Sequence, residues 1–388
     1  MATMSRFLTD FTILRPAFET PQEFALQWIS HAHAIAEAKK ASSDFDKEAF
    51  QAQLLKLLLH IGAGPGKIKS RGFHHPDFQH MSWETMELFP NAEGVSLGTR
   101  TRYFEKIVDE IFMQFYPPAL PLPDDLIHVS CTGYTAPSGA QKLVARRGNG
   151  RKTTVTHAYH MGCYGAVSAL HIAKGFLLSG KNQVDIVHTE MCSLHMNPLL
   201  HSVEQLVVQT LFADGFIKYS LKNSAERHCL EILHLQEVIL EGTIESMSWS
   251  PESWGFKMSL DREVPRLIAK QLPDIVHGVI PDLQNVLFAI HPGGPKIIDQ
   301  VAQTLHLTPD QVEHSRAILS KYGNMSSASL PHIWESILSD PSVPHGTPIL
   351  SLAFGPGLTV ALTHFQKVYL DVPSHKEQCV SEPEMALL

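Results

Sequence analysis

The sequence predicts an α/β fold built from two similar halves. From residue 125 onward, short apolar runs of β-forming residues alternate with helical patterns, which is typical of a parallel or mixed sheet covered by helices. The second half repeats the order of strand, glycine-rich turn and helix found in the first, which indicates an internal duplication. The chain has 388 residues, 44% of them hydrophobic, so it can bury the core that such a fold needs.

The first 120 residues are predicted to be mostly helical. Apolar residues recur at helical spacing from Phe24 to Ala38, from Phe50 to His60 and from Arg102 to Phe115. The proline-rich stretch PPALPLPDD then ends the third helix and leads into the alternating part of the chain.

Strands and helices alternate over the next hundred residues. The predicted elements are a strand from Leu126 to Ser130, a strand near Val155, a helix that begins at Cys163 and a strand from Val184 to Val187. The loop CTGYTAPSG after the first strand is rich in small residues, as loops that line a site often are.

The second half follows the same order. Val286 to Ile290 is an apolar strand, HPGG turns the chain, and a helical stripe runs from Ile297 to Leu305. His291 therefore takes the place in this half that Cys163 takes in the first, at a junction of strand and helix. Two further apolar runs near the end are joined by FGPG (residues 354–357), whose glycines permit close approach of the backbone.

Charge and cysteine content exclude several classes of protein. The chain has 39 acidic and 31 basic residues, a formal net charge of −8, whereas a broad nucleic-acid interface needs a basic face. The N-terminus lacks a secretory signal pattern and no run of about 18 apolar residues is present, so we expect a cytoplasmic protein without a membrane span. The cysteines are scattered without a CxxC pair, so we expect neither a disulfide framework nor a metal site; they are Cys131, Cys163, Cys192, Cys229 and Cys379.

Three residues with glycine or small neighbours could form a site for acyl chemistry. Cys163 in MGCYGA would lie at a helix N-terminus, where the helix dipole favours the nucleophilic thiolate. His291 in AIHPGGP and Asn324 in KYGNMSSAS could supply the imidazole and the hydrogen-bond donor that this chemistry needs. Each residue taken singly also has a structural interpretation, as a small buried side chain for the cysteine and as turn positions for the other two.

Taken together, the motifs resemble the chalcone synthase family, the type III polyketide synthases of the thiolase superfamily. AIHPGGPKIIDQV, YGNMSSAS and AFGPGLTV follow in the family's order, and CTGYTAPSG, HMGCYGA, VHTEMCSLHM and QTLFADG resemble its motifs further upstream. The resemblance covers residues 125–365 and is weak over the first hundred residues.

The resemblance implies a homodimer with a thiolase fold, five-layered αβαβα, with an N-terminal half over residues 1–222 and a C-terminal half over residues 223–388. It makes Cys163 the acyl-accepting nucleophile. It gives His291 and Asn324 the roles of activating the thiolate and holding the thioester carbonyl and the developing enolate; an imidazolium would lower the cysteine pKa.

Further site residues follow from the matched motifs. Glu190 matches an acidic residue of the family site, and we expect it to form hydrogen bonds inside the cavity. The other substrate-binding candidates are Thr132, Gly293, Phe354, Gly355 and Gly357.

Two departures from the family pattern bear on substrates. Where chalcone synthases usually carry gatekeeper phenylalanines, this chain offers Met196 and Met258, and flexible methionines would admit bulkier acyl chains than two rigid rings. The basic residues of the family's coenzyme A clamp are not in register. Lys67, Lys69 and Arg71 in GKIKSRGFHH are instead the candidates for holding a phosphopantetheine phosphate or an acidic acyl carrier protein.

The predicted function is that of a condensing acyltransferase. It would load an acyl or β-ketoacyl chain on Cys163 and extend it by Claisen condensation with a second thioester, with closure to an α-pyrone as one outcome. The sequence leaves open whether the second thioester is a preformed β-ketoacyl chain or a malonyl unit. No tightly bound cofactor is implied, and the substrates are acyl thioesters of coenzyme A or of an acyl carrier protein.

Three alternatives remain open at this point. Ketosynthase III of fatty-acid initiation shares the order Cys, His, Asn, although the HPGGP and FGPG motifs favour the polyketide branch. Papain-like cysteine hydrolases also share this order, but their signature around the cysteine is absent. A catalytically silent partner subunit is the third alternative, and the presence of all three reactive residues argues against it.

Overall fold

The computed structural model describes residues 5–41, 44–91, 94–226 and 228–370; Cys379 lies outside them. The strands are β1 (Phe7–Leu14), β2 (Phe18–Pro21), β3 (Ser70–Phe73), β4 (Asp125–Ser130), β5 (Thr154–Tyr159), β6 (Gln183–Met191), β7 (Asp214–Lys222), β8 (His228–Ile239), β9 (Met247–Pro251), β10 (Phe256–Leu260), β11 (Leu287–Ile290), β12 (Pro348–Gly355) and β13 (Thr359–Tyr369). The helices are α1 (Gln22–Ala38), α2 (Lys47–Ile61), α3 (Leu97–Phe115), α4 (Gly139–Arg146), α5 (Gly165–Leu178), α6 (Val203–Leu211), α7 (Val264–His277), α8 (Pro295–Thr304), α9 (Glu313–Tyr322) and α10 (Ser329–Ser339).

Side-chain caps define where several helices begin. Asp46, Ser96 and Ser202 each accept a hydrogen bond from a backbone N–H in the first turn of α2, α3 and α6. Ser138 and Gln141 form a reciprocal capping box at the start of α4. These caps satisfy N–H groups that have no partner inside the helix, so the polar residue in front of each apolar stripe fixes its start.

Nine strands form one mixed sheet in the order β11-β12-β13-β8-β1-β7-β6-β4-β5. The pairs β11·β12 and β4·β6 are parallel, and each is followed by two antiparallel pairs, β12·β13·β8 in one half and β6·β7·β1 in the other. The two halves thus share one pairing pattern, in which β4, β6, β7 and β1 correspond to β11, β12, β13 and β8.

This correspondence corrects the predicted equivalence of His291 and Cys163. His291 directly follows β11, whose counterpart is β4, so the residue in its place in the first half is Cys131. Cys163 lies in a 3₁₀ turn that leads into α5, and the matching turn in the second half is Ser326–Ala328, which leads into α10. The counterpart of the cysteine turn is therefore the turn beside Asn324.

The helices form three layers around the two halves of the sheet. Helices α5 and α10 lie in the centre, where their apolar residues, such as Leu170 and Trp334, pack on strands of both halves. Helices α1, α3 and α4 cover the outer side of the first half, and α7 and α8 cover that of the second. This arrangement confirms the predicted α/β thiolase fold with its five αβαβα layers.

The sequence patterns missed one important strand near the N-terminus. The helices predicted in this region are found as α1, α2 and α3, but β1 lies between β7 and β8 and joins the halves of the sheet. Its alternation is interrupted at Asp10, which has a φ of 56° and lies in a register shift between Thr9 and Thr12. The bulge breaks the period of two by which a strand is recognised.

The described ranges contain neither a helix suited to a membrane nor a cluster of metal ligands. None of the helices there is long and apolar enough to cross a bilayer. No cluster of three or more His, Cys, Asp or Glu side chains placed to bind a metal ion was found in this part of the chain.

Candidate active site

Cys163 lies between a strand and a central helix. Strand β5 ends at Tyr159, the 3₁₀ turn Gly162–Tyr164 follows, and α5 begins at Gly165. Gly162 has a φ of 77°, which glycine adopts without strain. The cysteine is 7% exposed, so the turn before the helix places the thiol inside the protein.

The FGPG segment packs against this turn. A Cβ atom at Gly355 would overlap the ring of Tyr164, and a Cβ atom at Gly162 would lie 2.6 Å from Cδ of Pro356. Pro356 of this segment lines the cavity around the thiol, whereas the predicted substrate-binding residues Phe354, Gly355 and Gly357 line neither this cavity nor the one beside it. Gly355 thus packs beside the cysteine turn, and contact of Phe354, Gly355 and Gly357 with a substrate stays a prediction.

A small chamber of about 20 Å³ surrounds the thiol. The residues that line this cysteine chamber come from both halves and are Cys131, Thr132, Gly162, Cys163, Cys192, Phe212, Met247, Trp249, Met258, Ser326 and Pro356. All four cysteines within the described residues are free and buried, and three of them face this chamber.

Asn324 reaches the chamber through its neighbour Ser326. Sγ of Cys163 and Oγ of Ser326 are 3.9 Å apart, and Oδ1 of Asn324 accepts a hydrogen bond of 2.9 Å from the Ser326 N–H. The Asn324 backbone is fixed by hydrogen bonds with Leu211 and Ala213. The amide Nδ2 makes no hydrogen bond within the described residues, and its predicted donation to a ligand stays a prediction.

His291 is buried directly after β11. Its backbone N–H donates to the carbonyl of Leu352, while both ring nitrogens are without a hydrogen-bond partner in the part of the chain described. Gly293 adjoins it, since a Cβ atom there would lie 3.8 Å from Cδ2 of the imidazole. His291, Gly293 and Asn324 do not line the cysteine chamber, so their approach to a substrate stays a prediction.

Glu190 connects three segments beneath the chamber. It accepts hydrogen bonds from the Cys131 N–H at 3.0 Å, from the Thr132 hydroxyl at 2.9 Å and from the Ser327 hydroxyl. The Thr132 hydroxyl in turn accepts from the Met191 N–H at 2.8 Å. Glu190 thus joins the ends of β4 and β6 to the Ser326–Ala328 turn, and Thr132 connects it to the chamber wall.

Burial controls the protonation of the predicted reactive groups. It raises the pKa of Cys163 to about 12, against a lowering effect of Ser326, and it lowers the pKa of His291 to about 3. Burial also raises the pKa of Glu190, although its hydrogen bonds act in the opposite direction. Burial thus favours a thiol at Cys163 and a neutral imidazole at His291, which is opposite to the pKa lowering expected for the cysteine from an imidazolium and a helix N-terminus.

A second, aromatic cavity of about 50 Å³ adjoins the chamber. Four residues line both spaces and form their common wall: Cys192, Phe212, Trp249 and Met258. The remaining wall of this inner cavity includes the aromatic side chains of Trp28, Phe73, Phe78 and Phe256. Of the two methionines predicted as gatekeepers, Met258 lies in the common wall and Met196 lines the inner cavity alone.

The three basic candidates for a carrier site are separated by the structure. Lys67 and Lys69 are exposed in the loop before β3 and remain candidates for a phosphate. Arg71 is 2% exposed and lines the inner cavity. This corrects its predicted role, because a guanidinium inside the protein cannot meet a carrier at the surface.

Sequence reasoning missed several residues of the two cavities. Phe212 in QTLFADG, Cys192 in VHTEMCSLHM and Ser326 in YGNMSSAS stand inside motifs that were recognised, so their position was a usable signal. Trp249 lies on β9 outside these motifs, and its indole N–H donates to the Cys131 carbonyl at 2.6 Å. Nothing in its local pattern indicates this contact across the fold.

Comparisons with known proteins agree with this architecture. Residues 233–368, which contain His291 and Asn324, match the C-terminal domain of the chalcone and stilbene synthases. The probable polyketide synthase 1 of Dictyostelium discoideum is 28% identical over 60% of this chain and 8% of its own length. The 1,3,6,8-tetrahydroxynaphthalene synthase of Streptomyces griseus is 28% identical over 61% of this chain and 64% of its own. The chain thus spans less than two thirds of either relative.

A solved structure resembles nearly the whole chain. The C-terminal type III polyketide synthase domain of Steely1 from Dictyostelium superposes with a TM-score of 0.80 at 22% identity, covering 94% of this chain and 99% of that domain. This likeness also covers the N-terminal region in which the motif resemblance was weak. The resemblance to type III polyketide synthases predicted from the motifs is therefore confirmed.

Proposed function

We propose that this type III polyketide synthase-like chain is a condensing acyltransferase that forms carbon–carbon bonds from acyl thioesters through an acyl-Cys163 intermediate. The observation that carries the proposal is the thiol in the first turn before α5, facing a chamber that shares a wall with an aromatic cavity. A nucleophile, a place for its acyl group and donors near the reacting carbonyl are the parts that this chemistry requires.

In the first step, the sulfur of Cys163 attacks the carbonyl carbon of an acyl-coenzyme A. The carbon–sulfur bond to coenzyme A breaks, and the coenzyme A thiolate takes up the proton that the cysteine loses. Because burial holds the thiol protonated and His291 neutral, the imidazole is the base proposed to receive that proton on the way.

In the second step, a malonyl thioester loses CO₂ and the resulting enolate attacks the acyl carbonyl. The new carbon–carbon bond forms as the sulfur of Cys163 leaves, which gives a β-ketoacyl thioester and the free cysteine. His291 and the unpartnered Nδ2 of Asn324 are the proposed donors to the enolate oxygen. Removal of one such donor typically slows a reaction about 10²- to 10³-fold.

Several finer features belong to the same proposal. Coenzyme A delivers the acyl groups, with Lys67 and Lys69 contacting its phosphates, and an acyl carrier protein is the alternative carrier. Extended chains close to an α-pyrone, and the enzyme works in the cytoplasm. The edge strand β5 supports a homodimer, because an open edge can pair with a second copy; light scattering behind size-exclusion chromatography would measure the dimer mass.

The chemistry is tested by product formation from acyl-coenzyme A and malonyl-coenzyme A. Cys163→Ala should form no condensation product, while Cys192→Ser, which changes another thiol of the same chamber, should keep a measurable rate. Product formation by Cys163→Ala at the wild-type rate would contradict the proposal. Hydrolysis of acyl-coenzyme A without condensation would instead favour the hydrolase alternative, and a wild type that reacts with no thioester would favour the silent partner.

A further inference from the structure

Arg71 is a buried cation without a carboxylate in contact. Its Nε donates to Oε1 of Gln22 at 2.7 Å, and its Nη1 donates to the carbonyls of Gln209 and Phe212, each at 2.8 Å. All three acceptors are neutral, and no ion pair of Arg71 occurs among the described residues. The carboxyl of Asp214 attracts this charge but forms no ion pair with it. A buried charge without a directly paired opposite charge is costly, which points to an acceptor from outside the chain.

The third nitrogen of this guanidinium is available to a ligand. Nη2 makes no hydrogen bond within the described ranges, and this nitrogen keeps some accessible surface. Since the residue is 2% exposed and lines the inner cavity, that surface faces the cavity. Arg100 differs, because its Nη2 is sealed in the protein and the residue lines neither cavity.

The other polar side chains of the cavity wall have partners. The ring nitrogens of His195 bond to the Thr132 carbonyl and the Phe256 N–H, and the Ser193 hydroxyl donates to Asp214. The amide of Gln209 is held at both ends. Arg71 is thus the cationic donor of an otherwise aromatic and hydrogen-bonded wall.

We propose that the inner cavity selects acyl groups whose far end carries an acceptor oxygen, a carboxylate or the enolate of a β-diketone, and that Nη2 of Arg71 binds this oxygen. The inference rests on the proposed function, since the acyl group must reach the cavity from Cys163 past the common wall. Burial lowers the pKa of Arg71 to about 9, so the side chain remains a cation at neutral pH. A charge-assisted hydrogen bond to an anionic oxygen is stronger than one between neutral groups.

The test compares the loading of Cys163 by three six-carbon thioesters of coenzyme A, followed by intact-protein mass spectrometry. Hexanoyl has no distal oxygen, adipoyl ends in a carboxylate, and 3,5-dioxohexanoyl carries an enolisable diketone. Wild type should load at least one oxygenated chain about tenfold faster than hexanoyl, and Arg71→Gln should bring that ratio close to one. If adipoyl alone is preferred, the oxygen that Arg71 binds belongs to a dicarboxylic starter. If the diketone alone is preferred, that oxygen belongs to the growing polyketide chain.

Arg100→Gln is the matched control, because it removes another buried arginine that donates to backbone carbonyls. It should keep the wild-type ratio even where the absolute rates fall. Equal loading of all three chains by wild type, or an unchanged ratio in Arg71→Gln, would overturn the inference. If Arg71→Gln does not fold, Arg71→Lys serves instead and should retain a reduced preference, whereas an unaltered preference in this variant overturns the assignment to the guanidinium.

A second measurement separates failure of the proposed function from failure of the Arg71 inference. If no thioester acylates wild type, thermal shifts with hexanedioate and hexanoate still report on the cavity. Hexanedioate should stabilise wild type more than hexanoate does, and Arg71→Gln should remove the difference. Equal shifts of wild type with the two acids would overturn the inference on this measurement.

Discussion

At the scale of single residues, burial of the Cys163 thiol opposes its ionisation to the nucleophilic thiolate. The thiol of Cys163 lies where burial strongly disfavours a thiolate, and the Ser326 hydroxyl, 3.9 Å from its sulfur, partly offsets that effect. Ser326 itself has a φ of 50°, a region that residues other than glycine seldom adopt. The local backbone is thus held in a costly conformation at the position that contacts the reactive sulfur.

Alkylation of Cys163 by iodoacetamide should show the raised pKa. Only the thiolate reacts, so the rate should rise about tenfold per pH unit from pH 7 to 10 without a plateau. Ser326→Ala removes a hydrogen bond to the thiolate and should lower the rate about three- to tenfold at each pH. Mass spectrometry of the Cys163 peptide measures the rates, with Cys192→Ser excluding reaction at the neighbouring thiol. A plateau below pH 9 would show that the thiol ionises more easily than its burial implies.

The common wall should limit the length of the acyl group. Met258→Phe replaces an adaptable side chain by a rigid ring between the two cavities, so the longest acyl chain accepted from a coenzyme A series should shorten. Met196→Phe, deeper in the inner cavity, should affect only chains long enough to reach it. An unaltered chain-length profile in both variants would place the limiting contact elsewhere, with Phe212 as the next residue to change.

At the scale of elements, the end of β12 supports the cysteine turn. The chain leaves β12 through Gly355 and Pro356, which press on Tyr164 and Gly162 on either side of the nucleophile. Since β12 belongs to the second half and the turn to the first, this contact couples the two halves at the site.

Gly355→Ala should disturb this contact. The added methyl group overlaps the Tyr164 ring, so we expect a loss of stability of about 1–3 kcal/mol and slower acyl loading on Cys163. Gly175→Ala is the matched control, because Gly175 lies on the exposed side of α5 with no atom near the added methyl group. That change should stabilise the protein by up to about 1 kcal/mol. Denaturant titration and loading rates measure both variants, and equal behaviour of the two would remove Gly355 from the support of the turn.

The sequence motifs predicted the local secondary structure and the residues near the site better than they predicted contacts between distant parts of the chain. HMGCYGA predicted a turn at a helix start and YGNMSSAS predicted a site residue or a turn at Asn324, and the structure brings the two motifs together through Cys163 and Ser326. Arg71 was misassigned because a basic loop motif does not reveal that the next strand carries its side chain inward. The equivalence of His291 and Cys163 failed for a related reason, since strand pairing, and not the local order of strand, turn and helix, decides which positions correspond.

At the scale of the whole molecule, buried histidines link stability to pH. Burial lowers the pKa of a group of interior histidines to about 3 or 4: His33, His128, His195, His291 and His332. Each stays neutral in the folded protein and gains a proton on unfolding below its ordinary pKa. Their contribution to stability is thus complete above about pH 6.5 and is lost progressively as the pH falls toward their folded pKa values of about 3 to 4.

Acid should therefore unfold the protein early. Each such histidine costs up to about 1.4 kcal/mol per pH unit below pH 6.5, so five of them can exhaust an ordinary folding free energy by about pH 5. The buried carboxyls Asp214 and Glu190 have raised pKa values and act in the opposite direction, but they are fewer. Urea midpoints between pH 7.5 and 5 measure the effect, and a constant midpoint over that range would contradict it.

The central claim is that Cys163 carries the acyl group that is extended. The most direct test is intact-protein mass spectrometry of wild type and Cys163→Ala after incubation with acyl-coenzyme A, followed by addition of malonyl-coenzyme A. The account predicts an added acyl mass on wild type alone, which disappears on addition of malonyl-coenzyme A as the β-ketoacyl product is released. An acyl mass on both proteins, or one on wild type that malonyl-coenzyme A leaves unchanged, would contradict it.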